Sequence, residues 1–111
     1  MYIYRLQILS SKSYSEEQLN NIIGVSSNFP YADWGIEIIQ SGENFSEILV
    51  YFLSLLEGKY EKLESIGISR ENISIWILYE YEGQCNMEYD PVSIKKMGEN
   101  GIALCISCWE K

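Results

Sequence analysis

Apolar and polar positions alternate from the second residue onward. Tyr2, Tyr4, Leu6 and Ile8 fall on one side of the alternation, and Arg5 and Gln7 fall with Ile3 and Leu9 on the other, the period-two pattern of a strand. The period then changes. Ser13 with Glu16, and Ser15 with Gln18 in the next register, are capping-box pairs, and Glu16 and Glu17 sit where a helix dipole favours acids. Leu19, Ile22 and Ile23 form an i, i+3, i+4 stripe, and Gly24 is the expected stop. Val25 to Asp33 has no period and reads as loop. Trp34 to Gln40 alternates again, with Trp34, Ile36 and Ile38 opposed to Glu37.

After the Ser41-Gly42 break, Asn44 with Glu47 repeats the N-cap pattern and opens the longest helical run. Phe45, Ile48, Phe52, Leu56, Leu63 and Ile66 share one stripe, while Glu43, Glu47, Glu57, Glu61, Lys62 and Glu64 take mostly the other side. Gly58 costs a helix interior about 1 kcal/mol relative to Ala, so it marks a bend or a close contact. Gly67 closes the run, which is expected to lie across one sheet face.

Ile73 to Glu82 is a third alternating run, followed by Glu82-Gly83-Gln84 and by Cys85, Asn86, Met87, Glu88 and Tyr89. Polarity sets the expected hairpin register. A three-residue loop puts Ile77, Tyr79 and Tyr81 on the face of Cys85, Met87 and Tyr89, and gathers Glu80, Glu82, Asn86 and Glu88 on the other. Asp90-Pro91 is an N-cap followed by proline at the first helical position. Ile94 and Met97 are expected to face inward, and Asn100-Gly101 to end the helix. Ile102 to Trp109 then carries Ile102, Leu104, Ile106 and Cys108 on one side and Ala103, Cys105, Ser107 and Trp109 on the other. A strand without a polar face belongs in a sheet interior. The expectation is one α+β domain over residues 1–111: a single, mostly antiparallel five-stranded sheet packed by about three helices, in the order β-α-β-α-β-β-α-β.

The net charge of −8, from 16 acids and 8 bases, changes the picture of partners. Nucleic acid and anionic membrane both require clustered Lys and Arg, which are absent here, whereas a basic protein would be steered toward the chain. No apolar run approaches the length of a bilayer span. The N-terminal MYIYRLQILSS reads as strand and not as signal peptide. Three cysteines match no disulfide framework, so a reducing cytoplasm is the expected compartment.

Histidine is absent, which removes the usual activator of Ser and Cys nucleophiles and the commonest metal ligand. Cys105-Ile-Ser-Cys108 resembles a C-x-x-C pair only on paper, because a spacing of three in a strand sends the sulfurs to opposite faces. No catalytic, cofactor-binding or metal residue is expected, and no cofactor. Two surfaces are candidates for protein binding. One is the acidic hairpin face of Glu80, Glu82, Glu88 and Asp90 with the nearby Trp76, against the reading that these acids are only a solvated face. The other is the aromatic loop with Phe29, Tyr31 and Trp34, against the reading that these rings plug a sheet edge.

Ile75 to Tyr79, Gly83-Gln84-Cys85-Asn86-Met87-Glu88, Asp90-Pro91 leading a short helix, and Gly101-Ile102 through Trp109 together resemble the end of the bacterial domain of unknown function 4279 family. Trp34, after a loop and before a long amphipathic helix, fits the same layout. The resemblance implies a small bacterial cytoplasmic domain without assigned catalysis, and similar small acidic proteins often occur as immunity proteins to toxins. The leading expectation is a non-enzymatic protein-binding domain, an immunity protein that docks a basic toxin domain through its acidic and aromatic surface. The alternatives are a small-molecule sensor or enzyme with a pocket between sheet and long helix, and a module that self-associates through Trp76 and Leu78.

Overall fold

Strand β1 (Tyr2–Ile8) is one of the two central strands of the sheet and is paired on both sides. The computed structural model describes residues 1–111. The chain continues through α1 (Glu16–Ile23), β2 (Trp34–Gln40), α2 (Phe45–Leu56), α3 (Tyr60–Ser65), a 3₁₀ turn at Arg70–Asn72, β3 (Ile73–Tyr81), α4 (Pro91–Asn100) and β4 (Ala103–Glu110). The strands lie in the order β2-β1-β3-β4. β1 is antiparallel to both β2 and β3, and β3 is parallel to β4.

The sheet is therefore α+β as expected but four-stranded and mixed, not five-stranded and mostly antiparallel. The element order is β-α-β-α-α-β-α-β. The missing strand is the one expected at Cys85–Tyr89, which is irregular. Its place does not exist: β3 is already flanked by β1 and by β4, which the α4 crossover delivers parallel to it. Met87 and Tyr89 nevertheless pack against the core, so the apolar alternation is real while the ladder is not.

Local signals account for most element ends. Ser15, the second of the two capping registers, accepts the Gln18 N–H, and Gly24 ends α1 in the left-handed region at φ 91°. Asp90 caps α4 with Pro91 at its first turn. The long helical run is two helices, broken where Gly58 takes φ 82°. Asn44 does not cap α2 through its side chain; the Glu43 carboxylate takes the Phe45 N–H instead, at 2.7 Å.

One core unites Tyr4, Leu6, Ile8, Trp34, Ile36, Ile73, Ile75 and Ile77 of the sheet with Leu19, Ile23, Phe45, Phe52, Leu56, Leu63 and Met97 of the helices. Each large side chain buried there contributes roughly 1.5–3 kcal/mol. Ile94, expected inward, is 48% exposed, and Ser93 is buried in its stead. The other sheet face, with Ile3, Arg5, Glu37, Ile39, Trp76 and Leu78, contributes nothing to that core. Phe29 is the ring that covers part of it. It lies over Gly35, where a Cβ would stand 3.0 Å from the Phe29 Cβ, and under the Arg5 guanidinium at 4.0 Å. Arg5 also pairs with Glu37 at 2.7 Å. No helix is long and apolar enough to cross a membrane.

Candidate functional site

The start of β1 lies beside the end of β3, with tyrosines on the core face, a choice that suits a sheet end because the ring is apolar and its hydroxyl tolerates water. Tyr2 and Tyr79 are register partners, and their rings stack at 4.4 Å and 13°. Tyr2 also lies parallel to Tyr4 at 6.0 Å. Phe45, at the start of α2, approaches Tyr4 at 6.5 Å and meets Tyr89 edge-on at 5.3 Å. Irregular residues 84–90 return over this end of the sheet and leave a cavity of about 380 Å³, within the size range of small-ligand pockets.

Tyr2, Tyr4, Phe45, Ile77, Met87 and Tyr89 form the apolar lining, with Glu43, Glu88 and Asp90 at the polar positions. Neither Lys nor Arg takes part. A second depression, of about 460 Å³, holds Tyr79, Glu80, Tyr81, Glu82 and Lys111 and shares Tyr2 with the first. Tyr2 thus borders both acid-bearing hollows, and its stacking partner Tyr79 lines the second.

Burial pushes the Tyr2 hydroxyl up to about 12, assisted by its hydrogen bond with Tyr79. Burial also raises Tyr4, which is partly offset by the hydrogen bond it accepts from the Asn44 N–H at 2.9 Å, and it raises Tyr89. These tyrosines stay protonated near neutral pH and offer ring faces and hydroxyls, not phenolate bases. Asp90 is held below the usual carboxylate range by the N–H and hydroxyl of Ser93, at 2.7 and 3.0 Å. Cys85 is raised by burial and by the neighbouring Cys108, which disfavours a thiolate nucleophile. The arrangement is suited to holding a cation: quadrupoles of aromatic faces and neighbouring carboxylates attract the same charge.

The eight residues singled out from the sequence scatter. Glu88 and Asp90 line the tyrosine cavity, whereas Glu80 and Glu82 line its neighbour. They do not form one acidic hairpin face, because residues 85–89 form no strand. Trp76 is on the uncovered sheet face, its indole N–H donating to Ser74 Oγ at 2.9 Å. In the aromatic loop only Tyr31 is open, at 82%. Phe29 is buried, and Trp34 is fully buried with its indole N–H shared between Asn20 Oδ1 and the Val25 carbonyl, at 3.0 and 3.3 Å. These two rings are packing elements.

Sequence reasoning did not single out Tyr2, Tyr4, Glu43, Phe45, Tyr79 or Tyr89. The one signal available was four tyrosines, Tyr2, Tyr4, Tyr79 and Tyr81, on the core faces of two strands where aliphatic residues would bury more simply. Comparison with family models, with curated proteins and with solved structures finds no match to this chain, so no relative assigns a role to any of these residues.

Proposed function

We propose that the domain is a non-enzymatic binding protein for a basic protein partner, one of whose Lys or Arg side chains enters the tyrosine-lined cavity. The observation that carries the reading is the lining: aromatic rings and three carboxylates converge on one hollow without a basic residue. The net charge of −8 would steer such a partner toward the chain. Glu80 and Glu82 in the adjoining hollow would meet further positive charge around the anchor. An immunity protein that neutralises a basic toxin is the biological role this chemistry would serve, in keeping with the resemblance over residues 75–109.

The test is calorimetric titration with an arginine-rich peptide and with an acidic peptide of equal length, repeated at rising salt. Binding should be confined to the basic peptide, weaken with salt as exposed charges are screened, and fall in both Tyr2→Ala and Glu43→Gln. Equal binding of the two peptides, or affinity untouched by both substitutions, would remove the proposal.

A second reading has the cavity's position in its favour. It lies between the sheet, through Tyr4 and Ile77, and α2, through Phe45 and Ser46, where a small organic cation could be held by itself. Binding of free arginine amide as tightly as the peptide would favour this sensor-like role over protein recognition.

A further inference from the structure

The two edges of the sheet are treated differently. At the β2 edge the loop closes the ladder. Asn28 accepts the Glu37 N–H at 2.7 Å and donates to its carbonyl at 3.2 Å. Ser27 Oγ accepts the Gly35 N–H at 3.0 Å, and the Asn28 N–H reaches the Gly35 carbonyl at 2.9 Å. The β4 edge has no such cover. Lys111 donates its N–H to the Tyr81 carbonyl at 2.8 Å, so strand alternation turns the backbone groups of Leu104, Ile106, Cys108 and Glu110 away from β3. That outer row is open for most of the length of a strand.

Exposed edges are normally blunted by Lys, Pro, a bulge or a covering segment. β4 reads ALCISCWE and has none of these. Its sequence is that of an interior strand, yet Ile106 is 44% and Trp109 39% exposed. We propose that β4 is a self-association strand: two copies of the chain pair antiparallel along it, about a two-fold axis at Ile106, into one continuous sheet.

The strand is complementary to itself in that register. On the helix-covered face Ile106 meets Ile106 and Leu104 meets Cys108 of the partner subunit. On the opposite face Trp109 covers the small Ala103 of the partner subunit, and Cys105 meets the partner's Ser107. Directly opposed side chains on one face of an antiparallel pair are close enough to touch, and no like charges meet in this register. Charge points the same way. In a chain of net charge −8, the single acid of β4, Glu110, falls opposite Ile102 of the partner subunit, and the two glutamates lie at opposite ends of the seam. With no cation and one terminal acid, the strand has nothing to select a charged peptide. The inference does not depend on the cavity reading, since no β4 residue lines that cavity.

Sedimentation equilibrium from micromolar to millimolar concentration tests it. The chain should reach twice its 12.9 kDa, and Ile106→Lys, which sets like charges together on the axis, should remain monomeric with an unchanged circular dichroism spectrum. Ser107→Cys fixes the register independently of that variant. Under a mild disulfide-exchange oxidant, which takes up the two electrons and two protons, its thiol should join Cys105 of the partner subunit. These positions form a non-hydrogen-bonded pair with Cα atoms about 4.5 Å apart. Adding Cys105→Ser should abolish that covalent dimer. A wild-type chain that stays monomeric throughout, a dimer indifferent to Ile106→Lys, or a cross-link that survives loss of Cys105 would each overturn the proposal.

Discussion

Tyr2 and Tyr79 stack across the β1–β3 pair, their ring centroids 4.4 Å apart, and of the two rings Tyr2 lines both acid-bearing hollows while Tyr79 lines the second. A stacked pair of this type is worth about 1 kcal/mol beyond the area it buries. A double-mutant cycle of Tyr2→Ala and Tyr79→Ala, read by chemical denaturation, should return a coupling energy of that order. Peptide affinity should drop roughly tenfold in Tyr2→Ala and hold in Tyr2→Phe, because the ring face and not the hydroxyl attracts the cation.

Trp34 serves the fold. It is fully buried, and its indole N–H satisfies Asn20 and Val25. Trp34→Ala should destabilise by about 3–5 kcal/mol. Trp34→Phe should cost less, about 1–3 kcal/mol, through lost hydrogen bonding and volume. Denaturant midpoints check both, and binding by the folded Trp34→Phe protein should match wild type.

Gly35 is a packing requirement of the uncovered sheet face. A Cβ there meets Phe29 Cβ at 3.0 Å and the Leu6 carbonyl at 3.2 Å. Gly35→Ala should cost about 1–3 kcal/mol by overpacking and displace Phe29 from beneath Arg5. Thermal unfolding measures the first effect, and the ring-current shift of the Arg5 side chain the second.

The pH dependence of stability has two sides. Asp90 is depressed by its Ser93 hydrogen bonds, so its stabilising effect is present above its unfolded pKa of about 3.9 and is lost as pH falls through the folded value. The melting temperatures of wild type and Asp90→Ala should therefore converge in acid. Tyr2 and Tyr60 are raised by burial from 10.0 to about 12. Their contribution is complete below the unfolded pKa and is lost as pH rises through the folded one. Stability should fall above pH 10, which thermal melts across that range would measure.

Much of the fold was legible because it is local. The Ser15 and Asp90 caps, the glycine stops at Gly24 and Gly101, and the alternation of β1, β2 and β3 all act within a few residues. What failed was non-local. Cys85, Met87 and Tyr89 alternate like a strand, but whether a strand forms depends on a free neighbour, and β4 occupies that position. β4 itself looks like an interior strand and stands at an edge. Gly58 was visible, yet a bend and a break differ only in how Leu63 reaches the core. The cavity was the least legible, since Tyr2, Phe45, Ile77 and Tyr89 come from four separate stretches that meet only when the 84–90 segment folds back.

Chemical-shift mapping on the isotope-labelled chain, titrated with a short arginine-rich peptide, shows residue by residue whether the tyrosine-lined cavity holds the cation. Shifts should concentrate on Tyr2, Tyr4, Glu43, Phe45 and Tyr89, with smaller ones at Glu80 and Glu82, and should be lost in Tyr2→Ala. Shifts confined to the exposed acids of α2 and α3, with those aromatic rings unmoved, would contradict it.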